Sequence, residues 1–450
     1  MSQFQLTDTF VEELKSWISG NLESSVSSAL DRLYPVDIAE LFTKLNLNEC
    51  KYCFDHLADN KAVEVLAELE SDKREILLTA YTPKEIASRF IENLNSDDAV
   101  DILNELPKSL SQEIISYVTD LEYSIQLVSL LHHDEDTAGG LMAKELIKVN
   151  LNWNLAQCTE EIRKQAENVT KVNAIYVVDN HDILLGIVPL KKILLEKATT
   201  KVSEIFDSNV IFAHVHTRGE EVANIMSKYD LEALPIVDAL KRLIGLVTID
   251  DVIDFVKEEA DKDYQLLSGI SENVESTDKI WVLSRARLPW LIIGLGGGLM
   301  NSFVIKGFES QLSANLQLAL FMPLVAAMGG NAGVQSSSII VQGLANDSLD
   351  TKNFIPRLAK EFSVALLNGL ICSGLLLAYT AAIGNPLNIA EVVSIALLSV
   401  ILFASILGTL IPLILDRFKI DPALATGPFI TTTNDLVGLF LYFSLARLML

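Results

Sequence analysis

Hydrophobic and polar positions divide this chain into two unlike halves. Beyond Ser284 the apolar residues run together. Leu288–Ile305, Gln311–Asn346, Phe362–Ala390, Val392–Leu415 and Pro422–Ala446 contain no Lys, Arg, Asp or Glu apart from Asp435. A helix needs roughly 18–20 such residues to cross a bilayer, so the pattern predicts five spans. Five runs in succession argue against long buried helices of a water-soluble core. Before Ser284 the pattern is amphipathic. Residues 1–135 read as short helices with acid-rich starts, at Pro35–Phe42, Thr82–Ala87 and Asn95–Leu103. Their recurrence at intervals of tens of residues predicts a helical superhelix, more a scaffold than a catalyst.

A duplication follows. Asn173-Ala-Ile-Tyr-Val-Val-Asp179 with Leu185-Gly-Ile-Val188 matches Glu232-Ala-Leu-Pro-Ile-Val-Asp238 with Ile244-Gly-Leu-Val247, an offset of 59 residues. Each copy reads as strand, turn, strand and helix. After the second copy an acid-rich helix, Asp250–Asp263, leads toward Trp281 and the first span. Asp251, Asp254, Glu258 and Asp261 fall on neighbouring turns of it, a carboxylate stripe that repels itself unless it is solvated or bridged by a cation.

Charge sharpens this division. The chain carries 35 Lys and Arg against 59 Asp and Glu, a net charge of −24. All of that excess precedes Arg285, which excludes nucleic-acid binding by the acidic half and makes divalent cations plausible partners for it. The first residues have acidic groups and no apolar core, so no cleaved leader is expected. Basic residues orient the bundle. Arg285 and Arg287 precede span one, Lys352, Arg357 and Lys360 lie between spans two and three, and Arg417 and Lys419 between four and five. The alternate loops hold only Lys306, which predicts a cytoplasmic N-terminus and an external C-terminus at the cell membrane.

Candidate chemistry sits in spans two and five. A carboxylate at the depth of Asp435 costs roughly 2.5–3.5 kcal/mol on insertion scales and therefore faces a bundle interior or a water-filled path. No Lys or Arg lies mid-span to pair with it, which favours a cation site. Pro428, Thr431, Thr432 and Asp435 share a helix face continued by Gly438, and Pro428 frees carbonyls that a cation or water could use. Span two contains Met328-Gly-Gly-Asn-Ala-Gly-Val-Gln335. Its small residues allow close helix approach, and the Asn331 and Gln335 amide oxygens suit a hard or hydrated cation. Cys50, Cys53 and His56 have metal-clip spacing but no second pair to complete a tetrahedral site, and are expected to be an inert helical pair.

The duplicated copies resemble CBS domains. The nucleotide-binding stretch of that family is matched in the second copy by Gly245, Thr248 and Asp251, while the first carries Pro189 and Lys192 instead. ATP is thus a candidate ligand of the CBS module, matched at the second copy. The whole chain resembles the MgtE family of magnesium channels. The motifs are Asp97-Asp-Ala-Val-Asp101, Asp136-Thr-Ala-Gly-Gly-Leu-Met142, Arg285-x-Arg-x-Pro-Trp290, Gly329-Gly-Asn-Ala-Gly-x-Gln335 and Asp421-Pro-Ala423 with Gly427-Pro-Phe429 leading to Asp435. The resemblance implies a multidomain membrane protein without enzymatic activity. Its parts would be an α-helical superhelical N-domain (1–136), a tandem α/β CBS pair (137–199 and 200–256), an acidic connecting or plug helix (257–284) and a five-helix transmembrane bundle (285–450).

It further implies a homodimer, with the pore between the two bundles lined by spans two and five. Asp435 of each subunit would face hydrated Mg2+, with Thr431, Thr432, Pro428, Gly330 and Asn331 around it. Cytoplasmic Mg2+ would hold the pore shut by bridging Asp97 and Asp101, Glu220 and Asp230, and Asp251, Asp254, Glu258, Glu259 and Asp263. Three positions depart from that pattern: Arg218 where an acid is expected, Lys262 among the plug-helix acids, and Gln342 where an Arg commonly follows the span-two motif. Two rivals remain at this level. One is a proton- or sodium-coupled secondary transporter, which the sequence supports with no second acid or His beside Asp435. The other is a membrane-anchored nucleotide sensor.

Overall fold

The computed structural model describes residues 6–166, 169, 171–272, 274, 279–345, 354–425 and 427–450. Lys352 and part of the segment joining the acidic helix to the first span lie outside them. The chain forms two units, residues 1–256 and 257–450.

The first unit begins with short helices: α1 (Asp8–Ser19), α2 (Glu23–Leu30), α3 (Pro35–Phe42), α4 (Leu47–Asp55), α5 (Asp59–Ala67), α6 (Ser71–Leu78), α7 (Pro83–Glu85), α8 (Ser96–Glu105), α9 (Lys108–Tyr117) and α10 (Leu121–Leu130). Local chemistry sets their starts. Pro35 and Pro83 occupy first helical positions, and Asn46 with Glu49 and Thr82 with Glu85 form reciprocal caps. All of these helices but α7 contribute an apolar face to a common core that includes Leu14, Leu30, Ile38, Phe42, Phe54, Leu66 and Phe90. The helix expected over Thr82–Ala87 is irregular: it relaxes into a π-turn at Ile86–Phe90 and a 3-10 turn at Ile91–Asn93. Burial of Ile86, Ala87, Phe90 and Ile91 holds that geometry.

The duplicated region forms two like sheets. β1 (Ile147–Asn150) runs parallel to β2 (Ile175–Val178), which pairs antiparallel with β3 (Leu184–Val188). β4 (Ala213–His214), β5 (Ala233–Val237) and β6 (Leu243–Thr248) repeat the arrangement. The register slips at Val177/Val178 in one copy and at Ile236/Val237 in the other, so the duplication extends to a backbone irregularity. Tyr176, Val178 and Leu184 pack with Val237, Leu243 and Leu246 to join the copies. α11 (Leu155–Gln165), α12 (Leu190–Leu195), α13 (Val202–Ile205) and α14 (Gly219–Tyr229) flank the sheets.

The acidic helix α15 (Ile249–Leu267) corrects the expected limits of a connecting helix over 257–284. It starts directly from β6 and stops at Leu267, where Gly269 takes a positive φ of 79°. The second unit then holds α16 (Ile280–Gly307), α17 (Glu309–Ala314), α18 (Gln317–Ala345), α19 (Phe354–Ala382), α20 (Leu387–Arg417) and α21 (Pro428–Met449). Among the described residues, five of these are long and apolar enough to cross a membrane. Several expected limits shift. The second span starts at Gln317, because Glu309–Ala314 is a separate helix. The third ends at Ala382, because Gly384 (φ 85°) and Pro386 break the chain there, and the fourth then runs through Glu391. The fifth starts at Pro428, Pro422–Ala425 being a 3-10 turn. At the third and fifth spans backbone breakers, rather than charged residues, set these ends. α20 packs against α18, α19 and α21 and buries Val393, Ala396, Val400, Ala404 and Gly408 among them.

Candidate functional site

A pocket of about 430 Å³ lies between α18 and α21, lined by Ala326, Ala327, Gly330, Asn331, Val334, Gln335, Thr431 and Asp435. Helical spacing explains the set, since positions 326/327, 330/331 and 334/335 recur each turn on one stripe of α18, and 431/435 do so on α21. Gly330 makes room for Thr431: a Cβ built there would lie a tight 3.2 Å from Thr431 Cγ2 and an ordinary 3.7 Å from Asp435 Oδ1. One carboxylate, two amides and a hydroxyl thus gather in an otherwise apolar bundle, a donor set of hard oxygens suited to a hydrated divalent cation.

The residues expected to share a face with Asp435 divide. Thr431 and Asp435 line this pocket, whereas Pro428 and Thr432 turn toward α16 and line a second one of about 720 Å³ with Ser268, Gly269, Arg287, Trp290 and Thr431. A Cβ at Gly297 would fall 1.9 Å from Thr432 Cγ2, so the threonine methyl fills the notch that glycine leaves. The same end of α21 meets the segment after α15. Cβ atoms built on Gly269 and Gly427 would lie 2.6 Å from Pro428 Cγ and 2.3 Å from the Leu267 carbonyl oxygen. Gln335 lines the pocket as its place in the span-two motif suggests. Ala326, Ala327 and Val334 carry no polar signal, and only the 3.6-residue period could have found them.

In the first unit, a crowd of carboxylates surrounds the start of α8. Asp97 and Asp98 lie in its first turn and Asp101 one turn on. Glu145 anchors that end by accepting from the Ser96 backbone N–H (3.2 Å) and hydroxyl (2.7 Å), while the Lys144 N–H donates to Ser96 Oγ (2.8 Å). Burial, then the neighbouring Asp251 and Asp98, push Asp97 well above the usual carboxylate range. Asp98 is raised by burial against the opposing pull of Arg74, and Asp251 rises to about 6 through burial. Asp101, still in contact with solvent, rises to about 7 through lost hydration and the Asp98 charge. Ionising these groups together is therefore unfavourable without a counter-charge. Among the described residues no three such side chains already converge on a point where a metal could sit. Asp98, Glu145 and Asp250 extend the set beyond the residues singled out from sequence, and adjacency to Asp97 and Asp251 was the available signal for Asp98 and Asp250.

Models of three families match the chain: "MgtE intracellular N domain" over residues 33–136, "CBS domain" over 138–198 and 202–258, and "Divalent cation transporter" over 322–445. The magnesium transporter MgtE of Thermus thermophilus is 32% identical over 430 residues, covering 95% of each chain. That of Bacillus subtilis is 31% identical over 422 residues, covering 93% of this chain and 92% of its own. The chain belongs to the MgtE family. Among solved structures, the cytosolic domain of the Mg2+ channel MgtE in complex with ATP superposes with a TM-score of 0.52 at 28% identity, covering 54% of this chain and 99% of that one. The soluble part of a magnesium transporter gives 0.50 at 25% identity, covering 56% and 98%. This chain is therefore a multi-pass membrane protein of a transporter family, with an N-terminal domain, a CBS pair and a membrane bundle.

The remaining residues suggested by the MgtE resemblance are spread out. Glu220 opens α14 and Asp230 closes it in a left-handed turn (φ 51°). Ten residues of helix, about 15 Å, separate them, so one ion does not bridge both. Asp254 and Glu258 are exposed on α15, and Asp263 lies one turn from its end. Lys262 holds Glu259 at 2.7 Å and so partly neutralises one of these acids. At the nucleotide stretch the Thr248 hydroxyl and N–H both donate to the Asp251 carboxylate, a cap on α15. A Cβ at Gly245 would meet Met142 Sδ at 2.7 Å, and in the other copy Lys192 Nζ donates to the Ile205 carbonyl (2.7 Å). The cysteine pair is structural: burial raises the Cys50 thiol to about 11 and that of Cys53 to about 12, while His56 Nδ1 sits 2.7 Å from the Tyr52 carbonyl.

Proposed function

We propose that this protein is a magnesium-selective channel that admits Mg2+ down its electrochemical gradient, with its N-terminal domains in the cytoplasm and its C-terminus outside. The observation that carries this reading is Asp435 in a pocket with Thr431, Gly330, Asn331 and Gln335, all from α18 and α21. Mg2+ surrenders its water reluctantly, so a carboxylate and neutral oxygens acting through that water attract the ion without stripping it. Because two helices supply every lining residue, a second copy across a two-fold axis would complete the ring and set two carboxylates on one ion. The driving force is the membrane potential, about 2.3 kcal/mol per elementary charge at 100 mV.

Closure by cytoplasmic Mg2+ is the second part of the proposal. With the ion present, the carboxylates of α8 (Asp97, Asp98, Asp101) and of α15 (Asp250, Asp251) tolerate proximity. Without it, their repulsion favours separation of the N-domain (1–136) from the CBS pair (137–199, 200–256). The contact of Leu267 and Gly269 with Gly427 and Pro428 gives the segment after α15 a direct hold on the start of α21. An adenosine nucleotide at Gly245, Thr248 and Asp251 is a modulator in this scheme, as suggested by the relative crystallised with ATP.

Uptake of Mg2+ by liposomes containing the full chain tests the main claim. Asp435→Ala is expected to abolish it. Undiminished uptake, or flux that follows an imposed proton or sodium gradient, would reject the channel reading.

A further inference from the structure

Asn434 immediately precedes Asp435 and keeps 1% of its surface, yet among the described residues neither Oδ1 nor Nδ2 has a hydrogen-bond partner. A buried amide left unpaired among apolar helices costs free energy, and such groups persist where they serve something other than stability. Its surroundings suggest what that is. A Cβ built on Gly333 would come within 1.9 Å of Asn434 Nδ2, 3.1 Å of its Cγ and 2.8 Å of Ile430 Cγ2, so the flat amide lies directly on a glycine of α18. Gly333 cannot retreat, because its carbonyl oxygen is 2.3 Å from where a Cβ on Gly408 of α20 would be. Consecutive helix positions point about 100° apart, so fixing Asn434 against Gly333 also fixes the direction of Asp435. That direction is across Gly330, into the pocket.

We propose that Asn434 is a positioning residue: its contact with Gly333 sets the rotation of α21 about its own axis and thereby aims the Asp435 carboxylate into the pocket. The functional importance of this aim rests on Asp435 being the cation-binding group, while the geometric claim stands apart from it.

A size-exchange cycle tests the contact. Gly333→Ala places a methyl where the amide lies, and adding Asn434→Ala vacates that space. The first readout is the modification rate of Asp435→Cys by a charged methanethiosulfonate reagent, in a full chain carrying Cys372→Ala. The other three thiols, Cys50, Cys53 and Cys158, are buried. Gly333→Ala is expected to slow modification about tenfold and the double variant to return to within about threefold of the parent, since residues in contact couple strongly. In the chain retaining Asp435, the half-saturating Mg2+ concentration for uptake should rise and recover in the same order, per amount of inserted protein. Equal rates for parent and Gly333→Ala, or a double variant as slow as the single, overturn the proposal. If Gly333→Ala does not insert, the double variant must insert and react at near-parental rate, and failure of either refutes the contact. Should Asp435→Ala leave uptake intact while modification rates follow the cycle, the cation-binding reading falls and the positioning role stands.

Discussion

Raising the pH without divalent cations should loosen α8 from the second CBS copy. Burial and mutual repulsion hold the carboxyl groups of Asp97, Asp98, Asp101 and Asp251 above their ordinary value of 3.8, Asp251 reaching about 6 and Asp101 about 7. A group whose folded-state pKa is raised binds its proton more tightly when folded. Its stabilising contribution is therefore complete below the unfolded pKa and is lost as pH climbs through the folded value. The window runs from near 3.8 to about 7. For Asp251 the shift of roughly two units corresponds to about 3 kcal/mol, and solvent contact makes the Asp101 share smaller. Hydrogen exchange of Ser96–Glu105 in the full chain, corrected for intrinsic rates, measures this. Protection should fall between about pH 4 and about pH 7, and Mg2+ should restore it at the upper end far more than at the lower, where protons already neutralise the cluster. Protection independent of pH, or an equal magnesium effect at both ends, would refute the reasoning.

Two further substitutions probe the frame around the sites. Gly408→Ala directs a methyl at the Gly333 backbone, 2.3 Å from its oxygen and 3.0 Å from its carbon, and backbone has no rotamer to yield. A loss of about 1–3 kcal/mol is expected, and an unchanged thermal midpoint of the detergent-solubilised chain would contradict it. Thr248→Ala removes both the hydroxyl donated to Asp251 and the capping residue of α15, costing about 1 kcal/mol. The same variant should lose any ATP-dependent rise in thermal midpoint, and a rise equal to the parent's would take Thr248 out of nucleotide binding.

The sequence made the two-part architecture plain because each part writes a different period. Long uncharged runs mark α16, α18, α19, α20 and α21, and the strand-turn-strand repeat marks both sheets. Helix ends were less legible. Charge was the natural guide to a span's limit, yet Glu391 lies inside α20 and Gly384 with Pro386 makes the actual break. α15 was harder still, because its acidic pattern continues unbroken from the second CBS copy and its stop depends on Gly269 at positive φ. At the pocket, Asp435, Gly330, Asn331 and Gln335 were legible from an unpaired charge and a small-residue motif. The turning of Thr432 toward α16 was not, since it depends on Gly297 leaving a notch one helix away.

That contrast explains why neighbours on one short segment of α21 divide their work. Thr431 and Asp435 are one turn apart on the pocket side, Thr432 fills Gly297 of α16, and Asn434 lies against Gly333 of α18. Thr432 and Asn434 are each met by a glycine on a facing helix, so the proposed aim of the carboxylate would depend on residues that carry no charge. Close approach of backbones supplies rigidity where a membrane offers little hydrophobic drive between helices. A charged side chain placed by close packing rather than by a salt bridge has no fixed counter-charge competing with a cation. On the proposed reading of Asp435 as a cation site, an Arg or Lys partner would steady the carboxylate while cancelling the attraction the site requires, a cost that positioning through the fit of Asn434 on Gly333 would avoid.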